Sequence, residues 1–246
     1  MALKATPDEQ ALLLDLQSFD TKLAQLDHKA KSLPEIAILA DLGKQSDALR
    51  QSLLAQTGAA EDVKLELSRV EADVKVVEAR IARDSERLQG SSSVKDVAAL
   101  EQELTALRKR LDDLEEIELV VMERLEEHQS VVDATTGELA DLRDRIAEVE
   151  ATRDASLATL TGERTTAAAG RRTIEGKIPA ELLALYEKQK ARYGTGASLL
   201  RGGVSLASGV KLLEDELQVI RAAAPDDVLI CPSSDAILVR TGESGL

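Results

Sequence analysis

The chain has 246 residues, a net charge of −14 and 31% charged residues, yet only 1% aromatics, with one Phe, two Tyr and no Trp. A globular core of that size uses aromatics as space-fillers, so the composition points to long helices and coiled coil. The acidity argues against general phosphate binding, which draws on clustered Lys and Arg. The single cysteine, Cys231, leaves no internal disulfide. No apolar leader follows Met1-Ala2-Leu3-Lys4. Nor does any stretch approach the ~20 apolar residues that span a bilayer, so the cytoplasm is the expected location.

Thr6-Pro7-Asp8-Glu9 opens the first helix, expected over 7–31. Thr6 can cap, Pro7 suits the first helical position, and Glu9 completes a capping box. Leu12, Leu16, Phe19, Leu23, Leu26 and Ala30 then alternate steps of four and three. Ser32-Leu33-Pro34-Glu35 reads as a stop and restart, because the residue before proline is pushed out of the helical region. The second helix, expected over 34–89, resumes the heptad from Leu39 to Leu88, with weak seam positions at Ser46, Gln56, Ala60 and Asp84. Gly58 falls inside that weak stretch and costs about 1 kcal/mol against Ala, so a loosened or bent region is expected there.

Gln89-Gly90-Ser91-Ser92-Ser93 is the main break, with a turn expected at 90–93. The third helix is expected over 94–172. Its seam is Leu100, Leu104, Leu107, Leu111, Leu114, Val121, Leu125, Val132, Leu139, Leu142, Ile146, Val149 and Leu160, about nine heptads. Polar residues Glu118, His128, Thr135, Arg153 and Ser156 fall on or near this line. Long natural coiled coils carry such residues to fix register. At 1.5 Å per residue the third helix is roughly 120 Å long. The first two helices together match it, and a short turn makes neighbours antiparallel. The expected fold is mainly α, a long antiparallel coiled-coil hairpin with a kinked first arm over 1–177.

Residues 178–246 carry a different texture. Ala180 to Arg192 reads as a short amphipathic helix burying Leu182, Leu183, Leu185 and Tyr186. Glycines at 194, 196, 202, 203 and 209 mark loops and turns. Val210 to Ala223 reads as a helix, and Val228–Ile230 and Ile237–Val239 as short strands. A unit so small is marginal without a metal, a disulfide or a docking surface.

The tip Val94-Lys95-Asp96-Val97-Ala98-Ala99-Leu100-Glu101, the segment from Ile178-Pro179 to Tyr186, and the tail through Ala224-Pro225-Asp226-Asp227 and Cys231-Pro232 to Arg240 resemble a bacterial family. Its members join a coiled-coil hairpin to a four-cysteine zinc ribbon. Relatives include the chlamydial and Helicobacter proteins associated with the sigma-54 factor and flagellar regulation, and the tail looks most like the actinobacterial branch. The resemblance places the two Cys-x-x-Cys knuckles at Ser205, Ser208, Cys231 and Ser234. Three of these positions are serine, and a hydroxyl is a poor zinc ligand. The expectation is therefore a zinc-ribbon-like α+β domain that has lost its ligands and holds no metal or other cofactor.

No phosphate loop, nucleophile elbow or metal-binding His pair is present, so no enzyme is expected. The leading reading is a non-enzymatic coiled-coil adaptor that binds protein partners, and the resemblance implies partners in transcription or regulation. The alternative is RNA or DNA binding through the tail and a basic neck of Arg171, Arg172, Lys177, Lys188, Lys190, Arg192, Arg201 and Lys211. No membrane contact is expected. The hairpin covers its own seam, so a monomer or weak homodimer is expected.

Overall fold

A computed structural model describes residues 3–246; the reading of Met1 and Ala2 at the start lies outside them. Three long helices come first: α1 (Pro7–Lys31), α2 (Pro34–Gly90) and α3 (Val94–Glu175). They are followed by α4 (Ala180–Tyr193), β1 (Ala197–Arg201), β2 (Val204–Ser205), β3 (Val210–Lys211), α5 (Glu214–Ala222), β4 (Leu229–Ile230) and β5 (Ile237–Val239). The fold is a helical hairpin with a small C-terminal sheet. It divides into two compact units, residues 35–151 and the remainder.

In the unit of residues 35–151 the heptad does what its spacing requires. Leu42, Ser46, Ala60, Val63 and Asp84 are buried along α2, and Leu100, Leu104, Leu114, Val121, Thr135, Leu139 and Leu142 along α3. The intervening seam positions are half-buried, including His128 and Glu118. Ion pairs Glu66–Arg124 (3.2 Å) and Arg80–Glu103 flank the seam and fix an antiparallel register. Asp84 sits buried in the seam and is met by Arg80 and Arg87 of its own helix at 3.8 and 3.4 Å. The loosening expected near Gly58 does not interrupt α2, whose helical bonding runs unbroken through it. Covered seam residues on either side outweigh one glycine. The helix ends shift slightly: Gly90 closes α2, the turn is 91–93, and α3 runs to Glu175 rather than 172.

The other unit holds α1, the last turns of α3 and the tail. The sheet order is β3-β2-β1-β5-β4, with β1 parallel to β5 and the remaining pairs antiparallel. Alternation along β5 decides the layers. Ile237 and Val239 pack with Leu13 and Leu16 of α1 and Leu182 and Tyr186 of α4. Leu238 points to the opposite face, with Leu200, Leu212, Leu217, Ile220 and Cys231. The sheet is thus covered by α1 and α4 on one side and α5 on the other. The chain start also joins it. Ala5 donates to the Asp226 carbonyl at 2.9 Å and Val228 to that of Leu3 at 3.1 Å.

Two expectations for the tail are corrected. Val210–Lys211 is a strand, and the helix begins only at Glu214. The glycine-rich stretch after Tyr193 hides β1 and β2, which turn through Gly202 and Gly203, both at positive φ. Arg240 secures the end of α5. Its guanidinium donates to the carbonyls of Ile220, Ala223, Ala224, Pro225 and Asp227 at 2.6–3.2 Å.

Glycine matters most where a ring approaches. A Cβ at Gly196 would overlap the Tyr186 ring, whereas one at Gly58 meets nothing within 4 Å. Gly196→Ala is expected to destabilise by about 2 kcal/mol through overpacking. Gly58→Ala is expected to stabilise by about 0.5–1 kcal/mol through helix propensity. Urea unfolding of the two variants checks both signs.

Candidate functional site

Two polar clusters stand out in the unit that contains the tail. The first is the joint between α1, α3 and α4. The buried face of α1 carries Leu13 and Leu16 rather than the Leu12 of the four-three spacing, which is half-buried, and one turn further the same face presents Asp20, only 8% exposed. A buried carboxylate is costly unless it is paired and hydrogen-bonded. Asp20 meets Arg171 of α3 at 2.8 Å and Lys190 of α4 at 2.7 Å. The Tyr186 hydroxyl donates to it at 2.7 Å. Arg171 also reaches Glu175 at 2.8 Å and pairs with Glu187. Gln17 extends the cluster to the sheet, its side-chain oxygen accepting from the Gly196 amide at 2.8 Å.

Burial pushes the Asp20 carboxyl up, but hydrogen bonds from Arg171, Lys190 and Tyr186 outweigh it, and its pKa lies below the ordinary value. Burial, with the Asp20 carboxylate as the next cause, holds the Tyr186 phenol well above its own. The phenol stays protonated and serves as a fixed donor. Each charge here has an opposite partner within the cluster, and the cluster ties α1, α3 and α4 together as a clamp.

The second cluster is where the knuckle positions meet. Cys231 is fully buried. Its Sγ lies 3.2 Å from the Ser233 hydroxyl, whose oxygen is 3.0 Å from that of Ser208. Ser205 is fully buried, with its hydroxyl 3.1 Å from that of Ser198. Burial raises the thiol pKa, but the hydroxyls of Ser205, Ser233 and Ser234 favour the thiolate and bring it below its usual value. The structure therefore gathers Ser205, Ser208, Cys231 and Ser234 into one locality formed by β2, the turn after it and the turn before β5. One thiol among hydroxyls does not fit a structural zinc, which takes thiolates or imidazoles in a closed set. Among the described residues no group of three or more His, Cys, Asp or Glu could hold a metal ion. Ser233, absent from the spacing argument, links Ser208 to Cys231; Ser198 was also missed, because nothing local marks it.

The basic neck does not form one surface. Arg171 and Lys190 face inward to Asp20, and Arg201 pairs with Glu243 at 3.3 Å. Arg172, Lys177, Lys188, Arg192 and Lys211 are exposed, with Arg192 lying over the Tyr193 ring.

The chain matches the CT398-like coiled coil hairpin domain over residues 16–194. It belongs to that family. CT398-like relatives include the uncharacterized protein Rv2229c of Mycobacterium tuberculosis, 34% identical over 97% of this chain and 98% of that protein. A solved structure from Mycobacterium smegmatis is 34% identical, with a TM-score of 0.87 over 97% of this chain and 100% of that one. CT398 of Chlamydia trachomatis, 16% identical, has a TM-score of 0.66 over 95% and 98% of the two chains, and supports the fold alone. Among the described residues no helix is long and apolar enough to cross a membrane.

Asp20→Asn is expected to cost about 3 kcal/mol at pH 7, because it leaves the inward cations short of their carboxylate. The Asp20 pKa is depressed by folding, so its stabilisation is complete above the unfolded value and is lost as pH falls through the folded one. Wild type should therefore lose this increment below about pH 4 while Asp20→Asn does not. Urea midpoints from pH 7 to pH 2 measure the difference. For the second cluster, purified protein should carry no stoichiometric zinc, and a chelator should leave its melting temperature unchanged. Elemental analysis and a thermal scan check this.

Proposed function

We propose that this CT398-like protein is a non-enzymatic coiled-coil adaptor, with its small sheet domain serving as a docking module. The observation that carries this reading is the Asp20 clamp. It fixes the tail against α1 and α3, while the opposite side of the tail keeps apolar surface in the open. Val219 is 67% exposed and Ile230 39%. With Glu216, Ile220, Leu229 and Pro232 they line a groove of about 250 Å³ between α5 and the edge strand β4. An edge strand beside an apolar groove suits an extended or helical segment of another protein. The family resemblance suggests partners in transcription or regulation.

Nucleic-acid binding is the weaker reading. Arg171, Lys190 and Arg201 already neutralise carboxylates of this chain, and the net charge repels phosphate.

Tagged full-length protein, recovered from its native cells, should bring down a protein in constant ratio. That partner should disappear with Val219→Lys/Ile230→Lys, two exposed positions whose change spares the fold. Recovery of the protein alone, or with nuclease-sensitive material that falls steeply with salt, overturns the adaptor reading.

A further inference from the structure

A coiled coil needs apolar residues only at its seam positions. Around Val121 the sequence supplies more. In Ile117-Glu118-Leu119-Val120-Val121-Met122 the seam line takes Glu118 and Val121, and the other four residues are apolar without a seam to fill. The structure leaves them in water: Ile117 is 44% exposed, Leu119 61%, Val120 56% and Met122 42%. Ile117 and Val120 fall on one side of the seam and Leu119 and Met122 on the other. Adjacent exposed apolar residues such as Ile117 and Val120 on a charged coiled coil mark an interaction surface more often than a lone exposed Leu does.

The surroundings state what kind of partner fits. Between Asp112 and Glu127 the sequence has eight carboxylates and one arginine. Ile117, Val120 and Val121 line a groove of about 340 Å³ whose other walls are Asp113, Glu116, Glu66 and Arg124. Arg124 is held by Glu66 at 3.2 Å, whereas Asp113 and Glu116 form no ion pair among the described residues. The groove thus has an apolar floor and carboxylates on its rim. Ile117 and Val120 are one turn apart, the spacing met by apolar residues at i, i+3 and i+4 of a partner helix.

We infer that the face of α3 around Ile117 and Val120 docks a basic amphipathic helix of another protein, its apolar stripe on the groove floor and its Lys or Arg residues against Asp113 and Glu116. A second copy of this chain fits less well, because it would bring the same acidic run against itself. This surface extends the adaptor reading but is separate from the tail groove, so either can fail alone.

The probe is a fluorescent helical peptide of Leu and Lys with Leu at i, i+3, i+4 and i+7, followed by anisotropy against the full chain. The same peptide with Glu for Lys is the control. The Leu/Lys peptide should bind, weaken with salt, and lose about tenfold or more in affinity with Ile117→Lys/Val120→Lys. Asp113→Lys/Glu116→Lys, which leaves the apolar floor intact, should also lose it. Leu54→Lys/Val76→Lys makes the same charge change at exposed positions elsewhere on α2, 77% and 67% exposed, and should bind like wild type. The inference is overturned if no binding is seen at low salt, if the Glu peptide binds equally, or if the Leu54/Val76 variant loses as much. It is also overturned if sedimentation shows wild type self-associating through this face, with Ile117→Lys/Val120→Lys abolishing the association.

Discussion

The carboxylate of Asp20 is the point on which the unit that holds the tail depends. It is almost wholly removed from water and would be intolerable there alone. Arg171, Lys190 and Tyr186 make it tolerable, and each comes from a different place in the chain: the end of one long helix, the end of a short one and the middle of that same short helix. The charge therefore specifies an arrangement more than it adds stability, since an apolar substitute for a whole buried ionic cluster is often as stable. Gln17, one turn earlier, carries the specification on to the backbone of Gly196 and the first strand.

The small sheet has other sources of support besides that clamp. Zinc ribbons are stapled at their knuckles, whereas here the knuckle locality is a thiol among hydroxyls. The sheet instead has two apolar faces, one covered by α5 and the other by α1 and α4. The first helix supplies Leu13 and Leu16 to one of the tail's two apolar layers. Arg240 adds a polar staple, gathering five carbonyls around the end of α5 with one guanidinium.

The hairpin was legible because its rule is local and periodic. Each seam residue named from the four-three spacing is covered in the structure, including polar ones such as Ser46, Asp84 and Thr135. The capping box at Thr6 and the turn after Gly90 follow from short-range chemistry and lie where it puts them. The tail was read less well. Its strands are two to five residues long, too short for alternation to register, and Gly202 and Gly203 disguise a hairpin as loop. Leu212 and Leu213 made a strand and its connection look like the first turn of a helix. The Asp20 clamp was invisible because its parts lie about 150 residues apart. Arg171 and Lys190 looked like a surface for phosphate, and only the fold reveals the carboxylate they serve. The run Ile117–Met122 also passed unmarked in the sequence, because only the structure shows which side of that helix is wet.

The pairing of Leu3–Ala5 with Asp226–Val228 has a consequence for how the chain comes to be folded. Residues separated by 222 positions must meet before that edge is complete. A flexible loop of such length would make the meeting slow, since closure precedes any reward from the contact. Here most of the intervening chain is helix, whose bonds form between near neighbours and zip locally. The span left to close by chance is therefore far shorter than the sequence separation suggests. During synthesis the opening segment and α1 emerge first and wait, with Leu13 and Leu16 uncovered, until the last strand leaves the ribosome. Until that strand arrives, the apolar face of α1 that carries Leu13 and Leu16 has no sheet to cover it.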